Sequence, residues 1–454
     1  MTTLDDRTTP PTAPPDEAPL TLDQPAGRSL RLIDQMGMWG NLGVSLLGFT
    51  GAIYVLYPVG DTPISLGAAL LALLVGTVLG TAAVAVAAVP GTVTGSPAMV
   101  LLRGLFGARL SWLPTLLNVV QLLGWTTFEI VTISTALHQI TGSVPRWVYV
   151  VLAGVVTTAL ALRPLGWIRL LRRYVTVAVV IALVYLAVQL LRNPLPPLGH
   201  GPWTGFWIAV DSVIGVAVSW VPVAADYTRH SRSTRDTVVG TFVGYSLSQL
   251  ACYAIGLVAL VTVAQGDDGR IFGAFMAIPV GTVAFAVLAI REIDQSFVDV
   301  FSAAVSVQNV RPRWDRRLLA LLLGTLCTVL ALALDIANYQ SFLLLIGSLF
   351  VPLLGVFAVD WFVVSRRSWD LGENAPLRLA MVLPWAIGFV VYQLVNPGTL
   401  GPWSRMWHTV QGWLDFTPTN WMSASLISFA VAAVVTLPVG LVERRLRAAA
   451  SRGR

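Results

Sequence analysis

Twelve apolar runs, most of them about as long as a bilayer's hydrocarbon core is thick, constrain what this chain can fold into more than any other feature. They lie near residues 38–58, 64–90, 111–137, 147–162, 174–191, 204–226, 236–265, 272–308, 317–335, 340–365, 377–395 and 422–442. Roughly 20 apolar residues carry an α-helix across ~30 Å of hydrocarbon, and there every backbone polar group must be satisfied internally. Of 454 residues 56% are hydrophobic and only 11% charged, against about 25% charged in soluble domains. The reading is an all-α integral membrane protein with twelve transmembrane helices, of which the short run at 147–162 gives the weakest signal.

All 29 basic residues are arginine, and their placement orients the chain. Clusters such as Arg103 and Arg109, Arg229 to Arg235, and Arg311 to Arg317 fall in alternate connections and in the two tails, whereas the opposite connections hold Arg146, Arg192, Arg270 and Arg405. By the excess of basic residues on the cytoplasmic side, both termini are expected in the cytoplasm of a cell-membrane protein. The net charge of +6 then reflects topology and contact with anionic membrane lipid, not nucleic-acid binding.

Residues 1–34 read as a disordered cytoplasmic tail without the pattern of a cleaved signal peptide. Residues 35–395 read as a ten-helix core with an adjoining eleventh helix, 396–445 as the twelfth-helix region, and 446–454 as a basic cytoplasmic tail. Cys252 and Cys327 sit in separate apolar runs, and the four histidines have no metal-ligand spacing, so neither redox nor cofactor chemistry is expected.

Two runs carry helix-weakening residues at mid-depth. The first reads WGNLGVSLLGFTGA, with Gly40, Gly43, Gly48 and Gly51; the sixth reads VIGVAVSWVPVAADY, with Gly215 and Pro222. Small residues also serve close helix packing in membranes, but paired interruptions at matching positions of two halves point to a transport site. If helices one to five and six to ten form inverted five-helix repeats, the first and sixth are equivalent. Glu129 in the third run and Asp299 in the eighth are then equivalent too, 170 residues apart.

An unpaired charge at the bilayer centre costs roughly 2.5–3.5 kcal/mol on insertion scales, so such residues face a cavity or a partner. Trp125 lies one turn before Glu129, and an indole beside a carboxylate suits a flat heterocycle that stacks on the ring and donates hydrogen bonds to the acid. The eighth run reads REIDQSFVDVFSAAVS, with Arg291, Gln295, Asp299, Ser302 and Ser306 along one stripe, in which Arg291 can neutralise a neighbouring acid. Asp294, Gln295 and Ser296 offer oxygen ligands for a coupling cation, or a carboxylate for a proton. Trp220, after the presumed break in the sixth helix, is a second candidate aromatic wall. Asp226 and Arg229 are expected to serve orientation or gating.

At these residues the chain resembles the nucleobase:cation symporter family, in its purine-cytosine permease branch. The resemblance is carried by TGSPAMVLLRGLFGARLSWLPTLLNVVQLLGW (94–125), SWVPVAADYTRHSRSTRD (219–236) and LLIGSLFVPLLGVFAVDWF (344–362), and spans roughly residues 35–440. Within the family, SWVPVAADYTR together with SFVDVFSAAVS looks most like permeases for hydroxymethylpyrimidine, with cytosine permeases next. The resemblance implies a ten-helix core of two inverted repeats with broken first and sixth helices, and cation-coupled alternating access. It also implies a base held between Trp125 and Trp220 and read by Glu129, where the family often has Gln, with Gln121, Ser219 and Asp299 completing the substrate site. The coupling ion, H+ or Na+, would lie near Gly48, Asp294, Gln295 and Ser296. Asp294 and Gln295 stand where sodium-coupled relatives have hydroxyls, which makes protons at least as plausible as sodium. A non-transporting membrane sensor and a membrane enzyme are the readings from other classes.

Overall fold

The computed structural model describes residues 19–22, 26–267, 270–334 and 339–452. All its regular elements are helical, and twelve segments correspond to the twelve apolar runs. Span 1 is the bent pair Leu32–Leu42 and Leu46–Leu56, span 2 is Leu66–Thr94, span 3 Trp112–Thr141, span 4 Arg146–Leu162 and span 5 Pro164–Leu190. Span 6 is Phe206–Thr228, span 7 Thr234–Thr262, span 8 comprises Gly281–Arg291 and Ile293–Val310, and span 9 is Arg316–Ala333. Span 10 is Tyr339–Val364, span 11 Val382–Val395 and span 12 Ala424–Arg452. Seven of these are long and apolar enough to cross a bilayer unaided, and the bent first pair makes an eighth among the described residues. The chain is a multi-pass membrane protein.

Span 1 packs along span 7, span 2 along spans 6 and 7, and span 8 along span 3, so the two interrupted helices lie inside the bundle. Small residues permit the closest approaches. A Cβ on Gly256 of span 7 would stand 2.4 Å from the carbonyl oxygen of Phe49, and one on Gly91 of span 2 would stand 2.8 Å from Cα of Ala225. The face turned to lipid is as apolar as the core: Leu116, Val155, Ile181 and Leu322 are all more than half exposed, as expected of a helix bundle whose solvent is hydrocarbon.

Both breaks fall where glycine and proline foretell them. Span 1 bends by 59° between Leu42 and Leu46, and Ser45 caps the second half, its Oγ accepting from Leu47 N at 3.1 Å. Span 6 is regular to Val218 and resumes as a single 3₁₀ turn at Val221–Val223, around Pro222.

Several boundaries differ from the sequence reading. The eighth run, 272–308, is not one helix: Ile271–Met276 is a separate short element, and the chain turns at Pro279 and Val280 before span 8 begins. Val280 has φ +57°, an unusual conformation for a β-branched residue. Hydropathy alone does not register such a turn, because its residues are themselves apolar. Two connecting helices, Ala98–Phe106 before span 3 and Gly401–Trp413 before span 12, were likewise not anticipated. Span 12 continues to Arg452 through most of the segment read as a basic tail.

Residues 1–18 and 23–25 of the segment read as a disordered tail lie outside the described residues, but the described part is docked. Leu22 N donates to Pro312 O at 3.2 Å, and Leu20 O accepts from Gln308 Nε2 at 2.7 Å and from Arg316 N at 3.2 Å. Further on, Leu30 pairs with Ser231, donating to His230 O and accepting from Arg232 N, both at 2.9 Å.

Candidate substrate site between spans 1, 3, 6, 7, 8 and 10

At each of the two breaks, backbone carbonyls are met by side chains of one other helix. At span 6, Gln121 Nε2 donates to Ser219 O at 3.1 Å, and Asn118 Nδ2 reaches Pro222 O at 3.5 Å; both amides belong to span 3. At span 1, Gln295 Nε2 donates to Leu42 O at 2.5 Å, and the Arg291 guanidinium donates to Asn41 O and Val44 O; both belong to span 8. Span 3 thus serves span 6 as span 8 serves span 1, the correspondence an inverted repeat requires. Gln121 and Arg291 are 170 residues apart, the same interval as Glu129 and Asp299.

Between the breaks lies a cavity of ≈ 30 Å³, space for one or two waters. Span 1 contributes Gly43, Ser45 and Gly48; span 3 contributes Trp125 and Glu129; Ser219 and Trp220 come from the span 6 break. Gln295 and Asp299 of span 8 and Tyr339 of span 10 complete that wall, and span 7 adds Tyr245, Gln249 and Tyr253.

Aromatic contacts fix both indoles. Trp125 meets Tyr339 and Phe342 edge-on, with centroids 5.7 and 5.5 Å away. Trp220 meets Trp39 at 6.3 Å and Tyr245 at 6.5 Å, and Trp39 is itself held by its Nε1 donating to Gln35 Oε1 at 3.1 Å. Edge-to-face packing of this kind orients the rings.

Three polar atoms of the lining have no hydrogen-bond partner among the described residues although buried: Trp125 Nε1, Glu129 Oε2 and Gln249 Oε1. An unsatisfied buried polar atom costs roughly 1–3 kcal/mol, so these three are available to a polar ligand that enters the cavity.

Of the ten residues singled out in the sequence, seven line this cavity: Gly48, Trp125, Glu129, Ser219, Trp220, Gln295 and Asp299. Three do not. Gln121 closes the span 6 break from behind, with its Nε2 also donating to Asn118 Oδ1 at 2.9 Å. Asp294 Oδ2 accepts from Asn41 Nδ2 at 3.1 Å, beside the span 1 break. Ser296 turns toward span 4, its Oγ 2.8 Å from Thr157 Oγ1. Gln249, Tyr245, Tyr253 and Tyr339 were missed: a tyrosine or glutamine in an apolar run is unremarkable until tertiary structure brings it to the cavity. Asp226, expected to act in orientation or gating, accepts from Ala98 N at 2.9 Å and so caps the connecting helix that precedes span 3.

A family model for permeases of cytosine/purines, uracil, thiamine and allantoin matches residues 56–373. The chain belongs to this permease family. It is a membrane transporter and not an enzyme. Among solved structures it is similar to Mhp1, a nucleobase-cation-symport-1 family transporter, in a closed conformation with bromovinylhydantoin bound: TM-score 0.72, 16% identity, 94% of this chain and 95% of that one covered. A Na+-coupled sialic acid symporter in a substrate-bound outward-open state matches with TM-score 0.61 at 12% identity, over 92% of this chain and 91% of the other. MhsT in complex with L-phenylalanine follows with TM-score 0.55 at 15% identity, over 92% and 99%. These likenesses give the permease its fold, a ten-helix core of two inverted repeats with two further helices. A search of curated protein sequences returns no match.

Proposed function

We propose that this permease imports a pyrimidine-type base, with hydroxymethylpyrimidine and cytosine the leading substrates, by cation- or proton-coupled alternating access, its termini in the cytoplasm. The observation that carries this reading is the set of unpartnered atoms at the cavity, two acceptors (Glu129 Oε2 and Gln249 Oε1) and one donor (Trp125 Nε1), between two indoles. Glu129 Oε2 and Gln249 Oε1 favour a ring edge that presents amino or ring N–H donors, as an aminopyrimidine does. A base with only carbonyls at that edge would leave Gln249 Oε1 without a donor, and unpaired buried polar groups are what give hydrogen-bonding sites their discrimination. Flat rings stack on Trp125 and Trp220.

At ≈ 30 Å³ the cavity cannot hold such a ring without the surrounding spans moving apart. Binding therefore goes with opening, as alternating access requires.

The test is competition by a panel of bases for binding to the purified protein and for uptake into proteoliposomes, with Glu129→Gln in parallel. Preference for hydroxymethylpyrimidine or cytosine, reduced in the Gln variant, supports the reading. Preference for a purine, an oxo-base or an allantoin-type ligand that the variant leaves unchanged sinks the role of Glu129. Binding without uptake would make the chain a sensor.

A further inference from the structure

Carbonyls released by a broken membrane helix are hard oxygen ligands, and in secondary transporters they hold the coupling cation. Whether the first-span break can do so here depends on what its oxygens already bind. Asn41 O and Val44 O both accept from Arg291, Leu42 O accepts from Gln295, and Asp294 Oδ2 accepts from Asn41 Nδ2. Glu292 Oε2 lies 3.8 Å from Arg291 Nη1, the nitrogen that donates to Val44 O. A sodium ion at this break would have to displace a side chain that is itself wholly buried. The residues do not fit the ion.

We infer that the Arg291 guanidinium is a built-in cation: it permanently occupies the carbonyl cluster of the broken first span, so this permease neither binds nor requires sodium there. This deepens the cation- or proton-coupled reading given above and rests on it.

Three observations converge. First, the site has the chemistry of a cation site, with three carbonyl dipoles and the carboxylates of Glu292 and Asp294 gathered at one break, and a buried positive charge is tolerable only in such company. Second, arginine cannot be deprotonated in a protein, so the charge is constant, and its planar fork reaches two carbonyls at once. Third, the pseudo-equivalent position at the other break holds the neutral Gln121, which serves one carbonyl, Ser219 O. The positive charge therefore belongs to the span 1 break in particular and is not needed merely to satisfy backbone atoms.

The experiment uses the purified full chain without any base, its unfolding temperature followed while sodium, lithium or potassium chloride replaces choline chloride at constant ionic strength. A cation that binds the folded state alone raises that temperature saturably. The wild type is expected to show no saturable shift and no change in base binding with sodium, because an ion that does not bind shifts no equilibrium. Arg291→Met, which empties the carbonyl cluster of charge, is expected to gain a saturable response to sodium or lithium. Arg291→Lys, a milder change that keeps a tethered cation, is expected to stay indifferent. A saturable sodium response in the wild type or in Arg291→Lys overturns the inference, and so does a folded Arg291→Met that ignores all three ions. If Arg291→Met does not fold, the other two proteins decide. Because the thermal measurement contains no base, a wrong substrate assignment leaves its outcome untouched.

Discussion

Glu292 joins span 8 to the second half of span 1 through Ser45: its Oε1 accepts from Ser45 Oγ at 2.8 Å, while Oε2 accepts from Leu46 N at 3.0 Å. The carboxylate sits at the positive end of that half-helix and beside Arg291, so one side chain satisfies an exposed backbone donor and balances a buried guanidinium.

Removing it should therefore destabilise the protein much more than an ordinary polar truncation. Glu292→Ala is expected to cost about 3–5 kcal/mol, because it leaves a buried charge without its partner. Glu292→Gln, which still accepts a hydrogen bond, should cost less. Thermal unfolding in detergent, with both variants beside the wild type, separates the two contributions: equal losses would show that the acceptor is immaterial and the charge alone decides, and no loss in the Gln variant would show that the charge is immaterial.

The aromatic walls give a second expectation. Stacking of a base on an aromatic side chain is worth about 1–3 kcal/mol by alanine substitution. Trp125→Ala should lower base affinity by roughly 5- to 150-fold on that scale, while Trp125→Phe, which keeps a ring against Tyr339 and Phe342, should retain more of it. Binding titrations on purified protein separate the two; identical affinities in the alanine variant and the wild type would remove Trp125 from the site.

Glycine positions near the cavity should divide into two kinds. A Cβ on Gly256 would meet Phe49 backbone atoms at 2.4, 2.7 and 2.9 Å, and backbone cannot step aside as a side chain can. Gly256→Ala should cost about 1–3 kcal/mol of stability through overpacking of span 7 against span 1. A Cβ on Gly48 would meet Cys252 Cβ at 3.4 Å, ordinary contact, yet Gly48 lines the cavity. Gly48→Ala should fold with near-normal stability and lose base affinity, so stability and binding measured together tell the two apart.

Not every intramembrane acid reads substrate, and Asp211 in span 6 makes the case. Its Oδ1 accepts from Ser423 Oγ at 2.6 Å and Ser425 N at 3.2 Å, and its Oδ2 from Ala424 N at 2.8 Å, so it caps the start of span 12. Asp211→Ala should cost about 1–2 kcal/mol, the worth of a helix cap or more, with base selectivity unchanged in the folded fraction. A changed preference across the panel of bases would contradict this.

These examples show what the sequence made legible. The two broken spans and Glu129 could be read because glycine, proline and a carboxylate are conspicuous in an apolar run, and because membrane physics forbids them a casual reason. Asp211 resisted such reading: it is equally buried, but its partners lie more than 200 residues away. Gln249 and the tyrosines of the lining carry no charge and leave the hydropathy of their runs nearly intact. Arg291 was visible as a charge, but only the fold brings Asn41 O and Val44 O to it. Local chemistry shows through sequence; partnership across the bundle does not.

The docked segment ahead of span 1 has a practical consequence. It clasps the turn after span 6 through Leu30 and the turn after span 8 through Leu20 and Leu22. An affinity handle or fluorescent fusion joined just ahead of residue 19 would pull on that clasp. The opposite end ends in a long helix reaching Arg452, and cargo attached there would leave the clasp alone.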